Sequence, residues 1–246
     1  AYKTVPVGMD KNGMKVTELS DSGADIAYVT PSHQYPTGII MPIGRRMELL
    51  KWAKEEPDRY VIEDDYDSEL RYFGRPVPAL KGLESSSHVI YLGSFSSTLF
   101  AAVKISYMVL PDEMNFLFSS IAQDYTQTCS KLEQLTLALF METGNYQTHI
   151  KKLRKLYSQK LAAVTDTFER EASGFIDVKN TSSGVNVILK VHSDKKIDTL
   201  KKEAEDLGIP ITGIENDFIM FYYNQIPLAE IPQLLTELIR VWREAS

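Results

Sequence analysis

Two polar clusters stand between residues 60 and 111, each at the end of a short apolar run. Tyr60–Ile62 leads into Glu63, Asp64, Asp65, Tyr66 and Asp67. Val89–Leu92 leads into a small-residue turn, Gly93-Ser94-Phe95-Ser96-Ser97-Thr98. A third run, Ile105–Leu110, follows Lys104. A turn of glycine and serine can supply phosphate contacts, and Lys104 can meet a phosphate as a point charge. Read by type alone, acidic residues at a strand end are more often solvated or capping groups. A lysine ahead of a strand is as often simply solvated.

The elements that position these clusters follow from the apolar pattern. All three runs are short and rich in β-branched or aromatic residues, which predicts strands buried on both faces. Connections longer than about a dozen residues predict a right-handed parallel sheet rather than hairpins. Ligands of such sheets sit beyond the carboxyl ends of the strands, so the two clusters read as two walls of one site.

Earlier in the chain, Thr4–Val7 reads as a strand, 10–13 as a turn and Met14–Asp21 as a helix. Asp25–Thr30 reads as a strand entering a rigid loop, Pro31–Gly38. A helix follows Pro42, with Met47, Leu50, Trp52 and Ala53 on its apolar face. Arg45 and Arg46 read as a solvated basic pair. The strand into the acidic cluster spans Arg59–Ile62.

After Pro111, helices are predicted over Asp112–Gln123 and Leu132–Met141. A long amphipathic helix runs from Tyr146 to Glu171, with its basic run 151–160 on the solvent side. The remainder reads as α+β. A hairpin joins Phe175–Val178 to Val185–Val191, and a helix spans Ser193–Leu207, capped by Ser193 or Asp194. Gly208–Thr212 and Asp217–Tyr223 are short strands, and Ile226–Arg243 is the last helix. Two domains are expected, 1–144 and 145–246.

Composition narrows the classes. The 246 residues are 43% hydrophobic and 24% charged, ordinary for a soluble globular protein. A net charge of −6 provides no global basic field for nucleic acid. The single cysteine, Cys129, excludes an intrachain disulfide and suits a reducing cytoplasm. No apolar run approaches the roughly 18 residues of a membrane span. The four histidines show no metal-ligand spacing, so no metal is expected.

A string of motifs then carries a resemblance. TPSHQYPTG (30–38), RRMELLKWA (45–53), IEDDYDSE (62–69), GSFSSTL (93–99) and ISYMVLP (105–111) occur in order, followed by TCSKLEQLTL (128–137) and GNYQTHIKKLR (144–154). The chain resembles the aminotransferase-like effector domain of MocR-type, GntR-family transcription regulators. The resemblance implies an α/β fold of the fold-type I aminotransferase kind: a partial, mostly parallel sheet with flanking helices and a small α+β C-terminal domain. It implies pyridoxal phosphate as the cofactor. Asp64 would pair with the pyridine nitrogen and Tyr66 would bond the phenolic oxygen. His33, Gln34 and Tyr35 are the candidates to lie near that oxygen, with His33 assigned to the cofactor, and Ser94 and Ser96 would help hold the phosphate. Tyr35 and Gln225 are the effector-side candidates.

The departures are chemical. The family's cofactor lysine falls at Ser97, and a serine cannot form an imine. Its phosphate-binding arginine falls at Lys104. Its carboxylate-gripping arginine has no counterpart in 220–231, where Gln225 is nearest. The resemblance therefore implies an effector-sensing domain without transaminase activity. A working pyridoxal-phosphate aminotransferase and a ligand-free interaction module are the alternatives. It also implies a homodimer, to which Tyr125, Cys129, Leu132, Leu135 and Leu137 contribute. DNA contact would need a winged-helix domain that these residues do not include.

Overall fold

The computed structural model describes residues 3–72, 77–83, 86–100, 102–181, 184–214 and 218–244. They form two compact units. The first is Ala1–Tyr35, Ile39–Ser68 and Arg75–His149; the second is Pro36–Gly38, Glu69–Gly74 and Ile150–Ser246.

The first unit is built on a four-stranded sheet of β3 (Ile26–Val29), β4 (Tyr60–Asp65), β5 (Val89–Ser94) and β6 (Ser106–Val109), in that order. β3, β4 and β5 are parallel, and β6 runs antiparallel to β5. The 10–13 turn makes a small hairpin, β1 (Met9–Asp10) with β2 (Gly13–Met14), and Gly13 has φ of 99°. The strand expected over Thr4–Val7 does not form. Helix α1 (Val16–Asp21) starts two residues later than the pattern predicts.

Helix α2 (Ile43–Lys54) lies on one sheet face. Leu49, Leu50, Trp52 and Ala53 pack with Ala27, Val29, Val61 and Val89. This corrects the expectation of strands buried on both faces. β3 and β4 alternate: Ala27, Val29 and Val61 point into the core, whereas Ile26 and Tyr28 are 50% and 56% exposed. β6 is exposed along its whole length. The apolar runs reflect strand propensity, and among the described residues only one face carries an apolar core.

Arg46 also departs from its solvated reading. It sits at 0% exposure on the α2 face that Leu49, Leu50 and Ala53 share. A spacing of three, four and seven from an apolar set is the helical signal that its charge masks.

Helices α3 (Asp112–Ala122) and α4 (Lys131–Glu142) bury none of their residues. Ser130 caps α4, its hydroxyl accepting from the Glu133 amide at 3.5 Å. Helix α5 (Asn145–Ala172) begins in the first unit and continues in the second.

In the second unit β7 (Ile176–Lys179), β8 (Asn186–Val191), β9 (Ile211–Ile214) and β10 (Phe218–Tyr222) form an antiparallel sheet in the order β7-β8-β10-β9. β9 lies further along the chain than expected, and Asp217 falls outside the described residues. Helix α6 (Ile197–Asp206) is preceded by Lys196 at the cap position, while Ser193 instead accepts from the Lys195 amide at 3.2 Å. Helix α7 (Ile231–Arg243) starts after Glu230, with Pro232 in its first turn. Leu161, Val164 and Phe168 of α5 pack with Leu235, Leu238 and Trp242 of α7 on this sheet. The basic run of α5 is mostly exposed, but Lys160 is not: 6% exposed, it donates from Nζ to the Asn224 carbonyl at 2.7 Å.

Candidate functional site

Strand alternation divides the acidic cluster. Glu63 and Asp65 face the α2 side and are buried, whereas Asp64 points to the opposite, half-open face.

Glu63 is part of an internal strut. Its Oε1 and Oε2 accept from the Leu80 and Lys81 amides at 2.8 and 2.9 Å, and Arg46 Nη1 stands 3.5 Å away. Arg46 donates to three carbonyls: Met41 at 3.0 Å, Pro78 at 2.9 Å and Pro31 at 2.8 Å. One ion pair thus ties the 31–41 loop, the 78–81 segment and β4 together. Burial pushes the Glu63 carboxyl above its ordinary range, against the pull of the two amides and Arg46.

Asp65 accepts from the Tyr91 hydroxyl at 2.6 Å. Burial first, and then Asp65, pushes the Tyr91 phenol up. Tyr91 and Tyr107 face each other at 6.1 Å between ring centroids. Gly93 is required beneath them, because a Cβ there would come within 2.3 Å of the Tyr107 ring.

Asp67 and Tyr66 turn to the loop. His33 Nδ1 lies 2.5 Å from Asp67 Oδ2, and both residues are buried. The Tyr66 hydroxyl donates to the His33 carbonyl at 3.0 Å, with the two rings stacked 6.0 Å apart. The loop is braced by Gln34 N to Ile39 O at 2.9 Å and Tyr35 N to Thr30 Oγ1 at 3.0 Å. The Tyr35 side chain is exposed.

Asp64 accepts on Oδ2 from the hydroxyl of Tyr28 on β3. The Tyr28 phenol is pushed up to about 12, by burial first and then by Asp64.

Asp64 pairs with Leu92 and Asp65 with Gly93 across the β4–β5 ladder, so the acidic strand end and the serine turn are adjacent. The turn is fixed by Phe95 N to Ile105 O at 3.1 Å, Leu99 N to Phe95 O at 2.9 Å and Ser96 Oγ to Val103 O at 3.0 Å. Ser94 Oγ accepts from the Ser96 amide at 3.3 Å. The first turn of α5 clamps it further: Tyr146 OH is 3.2 Å from Thr98 Oγ1, and His149 Nε2 is 2.7 Å from the Thr98 carbonyl. Ser97 is half-buried, and its hydroxyl bonds to no described residue. Lys104 is exposed and forms no ion pair among the described residues.

The structure therefore gathers Asp64, Ser94, Ser96 and Ser97 on neighbouring strand ends, and joins His33 to Tyr66. Gln225 belongs to the second unit, exposed in the turn after β10. Tyr28, Tyr146 and His149 are not singled out by their residue types, Glu63 is named only as one of the acidic cluster, and Arg46 reads as solvated. Period-two spacing on β3 and β4 is the signal that could have flagged Tyr28 beside Asp64. Among the described residues, no cluster of three or more His, Cys, Asp or Glu can hold a metal, and no helix is long and apolar enough to cross a membrane.

Tested against a pyridoxal-type ligand, these groups fit a non-covalent hold. Asp64 has one oxygen outside the Tyr28 bond, and the Ser97 hydroxyl and Lys104 amine are uncommitted. They do not fit covalent attachment at position 97, because serine offers no amine.

No family model matches the chain. It is 41% identical over 207 residues to "Uncharacterized HTH-type transcriptional regulator YdeL" of Bacillus subtilis, covering 84% of this chain and 44% of that protein. It is 30% identical to the probable rhizopine catabolism regulatory protein MocR of Rhizobium meliloti (88% and 44% covered). It is 31% identical to the HTH-type pyridoxine biosynthesis transcriptional regulator PdxR of Corynebacterium glutamicum (87% and 46%). The chain thus spans less than half the length of these relatives. Among solved structures it matches a kynurenine aminotransferase of Pyrococcus horikoshii with TM-score 0.81 at 24% identity, over 98% of this chain and 64% of that one. An archaeal alanine:glyoxylate aminotransferase matches with TM-score 0.83 at 20% identity, over 98% and 64%.

Proposed function

The chain is a homologue of MocR- and PdxR-type HTH transcriptional regulators over 84–88% of its length and has the fold-type I aminotransferase fold; from that premise we propose that it is the effector-sensing part of such a regulator, holding a pyridoxal-type ligand without a covalent bond. One observation carries this: Asp64 and the serine turn meet on adjacent strand ends; in this reading Ser97 stands where the family's imine-forming lysine would be. Asp64 receives the ring nitrogen, Ser94, Ser96, Ser97 and Lys104 serve the phosphate end, and His33 and Tyr66 border the ring. Tyr35 and Gln225 are assigned to the effector. When bound, the ligand supplies an electron-poor ring and a charged phosphate for recognition. A cytoplasmic location goes with this reading.

Calorimetry with pyridoxamine phosphate and pyridoxal phosphate tests the reading. Saturable binding of pyridoxamine phosphate, with no stoichiometric fixation of pyridoxal phosphate at a single lysine after cyanoborohydride, supports it. Absence of binding favours the ligand-free module instead.

Transaminase turnover with common amino donors is expected to be absent, because moving the α-proton needs a poised base that Ser97 is not. A keto acid formed stoichiometrically with donor consumption over many turnovers would restore the aminotransferase reading.

The same proposal includes a homodimer. Phe116, Leu117, Phe118, Ile121, Tyr125 and Leu132 are all more than 45% exposed. Single exposed apolar residues are ordinary, but six within residues 116–132 support a contact surface. Sedimentation at micromolar concentration is expected to show about twice the 27.9 kDa chain mass. Leu132→Glu with Leu135→Glu should return it to one chain with helicity retained. A wild-type chain that sediments as a monomer removes the dimer from the proposal.

A further inference from the structure

The Tyr28–Asp64 bond lies outside every role assigned so far. Tyr28 pairs with Ile62 across the β3–β4 ladder, so its side chain shares a sheet face with Ile62 and Asp64. Its ring leans along the strand to reach Oδ2 of Asp64. Oδ1 of Asp64 accepts nothing among the described residues, and it is not sealed from solvent. One oxygen is held and the other is open. A carboxylate accepts through both oxygens, so the two roles do not compete.

The donor is constant. A phenol raised to about 12 keeps its proton at neutral pH, so the contact remains phenol to carboxylate. The packing around it is not what fixes it: Tyr28 is 56% exposed, against the 1–2% of its β3 neighbours Ala27 and Val29. The hydrogen bond therefore ties the half-open Tyr28 side chain to Asp64.

We propose that Tyr28 is a positioning residue for Asp64: by holding Oδ2 it aims Oδ1 at a protonated ring nitrogen, and so makes the site select a pyridinium-type ligand over the same ring without that nitrogen. This rests on the reading above that Asp64 receives the ring of a pyridoxal-type ligand. A single N–H donor is directional, and a carboxylate already fixed about its side-chain torsions loses less freedom on meeting it. The gain is confined to ligands that own the N–H.

The test uses the full chain and two probes. One is pyridoxamine phosphate, which has no aldehyde and cannot form imines with surface lysines. The other is its carbocyclic analogue, with CH in place of the ring nitrogen. Wild type is expected to prefer pyridoxamine phosphate. Tyr28→Phe should weaken pyridoxamine phosphate about five- to tenfold and leave the analogue within about twofold. Asp64→Asn should erase the preference altogether. Unchanged affinity of Tyr28→Phe for pyridoxamine phosphate overturns the proposal. So does an equal loss for both probes, which marks a general structural effect; circular dichroism and melting of each variant accompany the titrations. If wild type binds neither probe, the ligand reading itself falls and this inference falls with it, an outcome distinct from the other two.

Discussion

Replacing Arg46 with methionine is expected to destabilise the first unit by about 3–5 kcal/mol, the usual consequence of removing one partner of a buried ion pair. Glu63 would remain at 0% exposure with its charge answered only by the Leu80 and Lys81 amides. The Met41 and Pro78 carbonyls would lose their side-chain donor, while the Pro31 carbonyl would keep only the Met41 amide. A loss of this size is a large fraction of the roughly 5–15 kcal/mol that holds a typical domain.

The pH dependence gives the prediction its sign. Burial raises Glu63 above its ordinary value of 4.5 in the folded chain. A raised carboxyl stabilises the fold fully only below the unfolded value, and that contribution is lost as pH rises through the folded one. Without Arg46 the folded value rises further, so the gap between variant and wild type should be widest at neutral pH. It should narrow as pH falls toward 4.5, where a protonated Glu63 needs no cation, but it should not vanish, because the Met41 and Pro78 carbonyls stay without their donor. Urea unfolding of both proteins at neutral and mildly acidic pH measures this. A gap under about 1 kcal/mol, or one that does not change with pH, would show that the strut does not carry the load.

What was legible in the sequence and what was not divides along physical lines. Motif order identified the fold class, and the runs at 60–62 and 89–92 gave the strands that present Asp64 and the serine turn. The amphipathic helix expected from Tyr146 to Glu171 forms as α5, and its apolar Leu161, Val164 and Phe168 are core. The differences share one cause: residue type does not say which face a residue occupies. Arg46 reads as solvated from its acidic surroundings, yet its spacing from Leu49, Leu50 and Ala53 puts it inside. Lys160 is the same case on α5, anchored on the Asn224 carbonyl. β6 reads as buried because its run is apolar, but burial depends on what covers a strand, and propensity alone does not say. The Tyr66–His33 bond joins residues 33 positions apart, and the clamp of Thr98 by Tyr146 and His149 spans 48 and 51. Contacts of that separation exist only once the chain is folded.

Ser97→Lys combined with Lys104→Arg is expected to convert non-covalent uptake into covalent attachment of pyridoxal phosphate. The turn that would present the new amine is already rigid, held by Phe95, Ser96 and Thr98 to the backbone of 103–105 and to α5. Ser97 is half-buried with no hydrogen bond to another described residue, so the substitution breaks none of these contacts. Arginine at 104 adds a planar, bidentate donor for phosphate where lysine offers a point charge. Asp64 then contributes a charge-assisted contact to the ring nitrogen, of order 1.5–3 kcal/mol. Attachment should appear as a visible absorbance band and, after cyanoborohydride, as a phosphopyridoxyl mass increment on the peptide carrying residue 97. Asp64→Asn in the same background should weaken uptake, which separates site-directed attachment from random modification of surface lysines. If the double variant keeps its fold yet carries no increment on that peptide, the serine turn does not face the ligand that Asp64 receives, and the two walls do not bound one site.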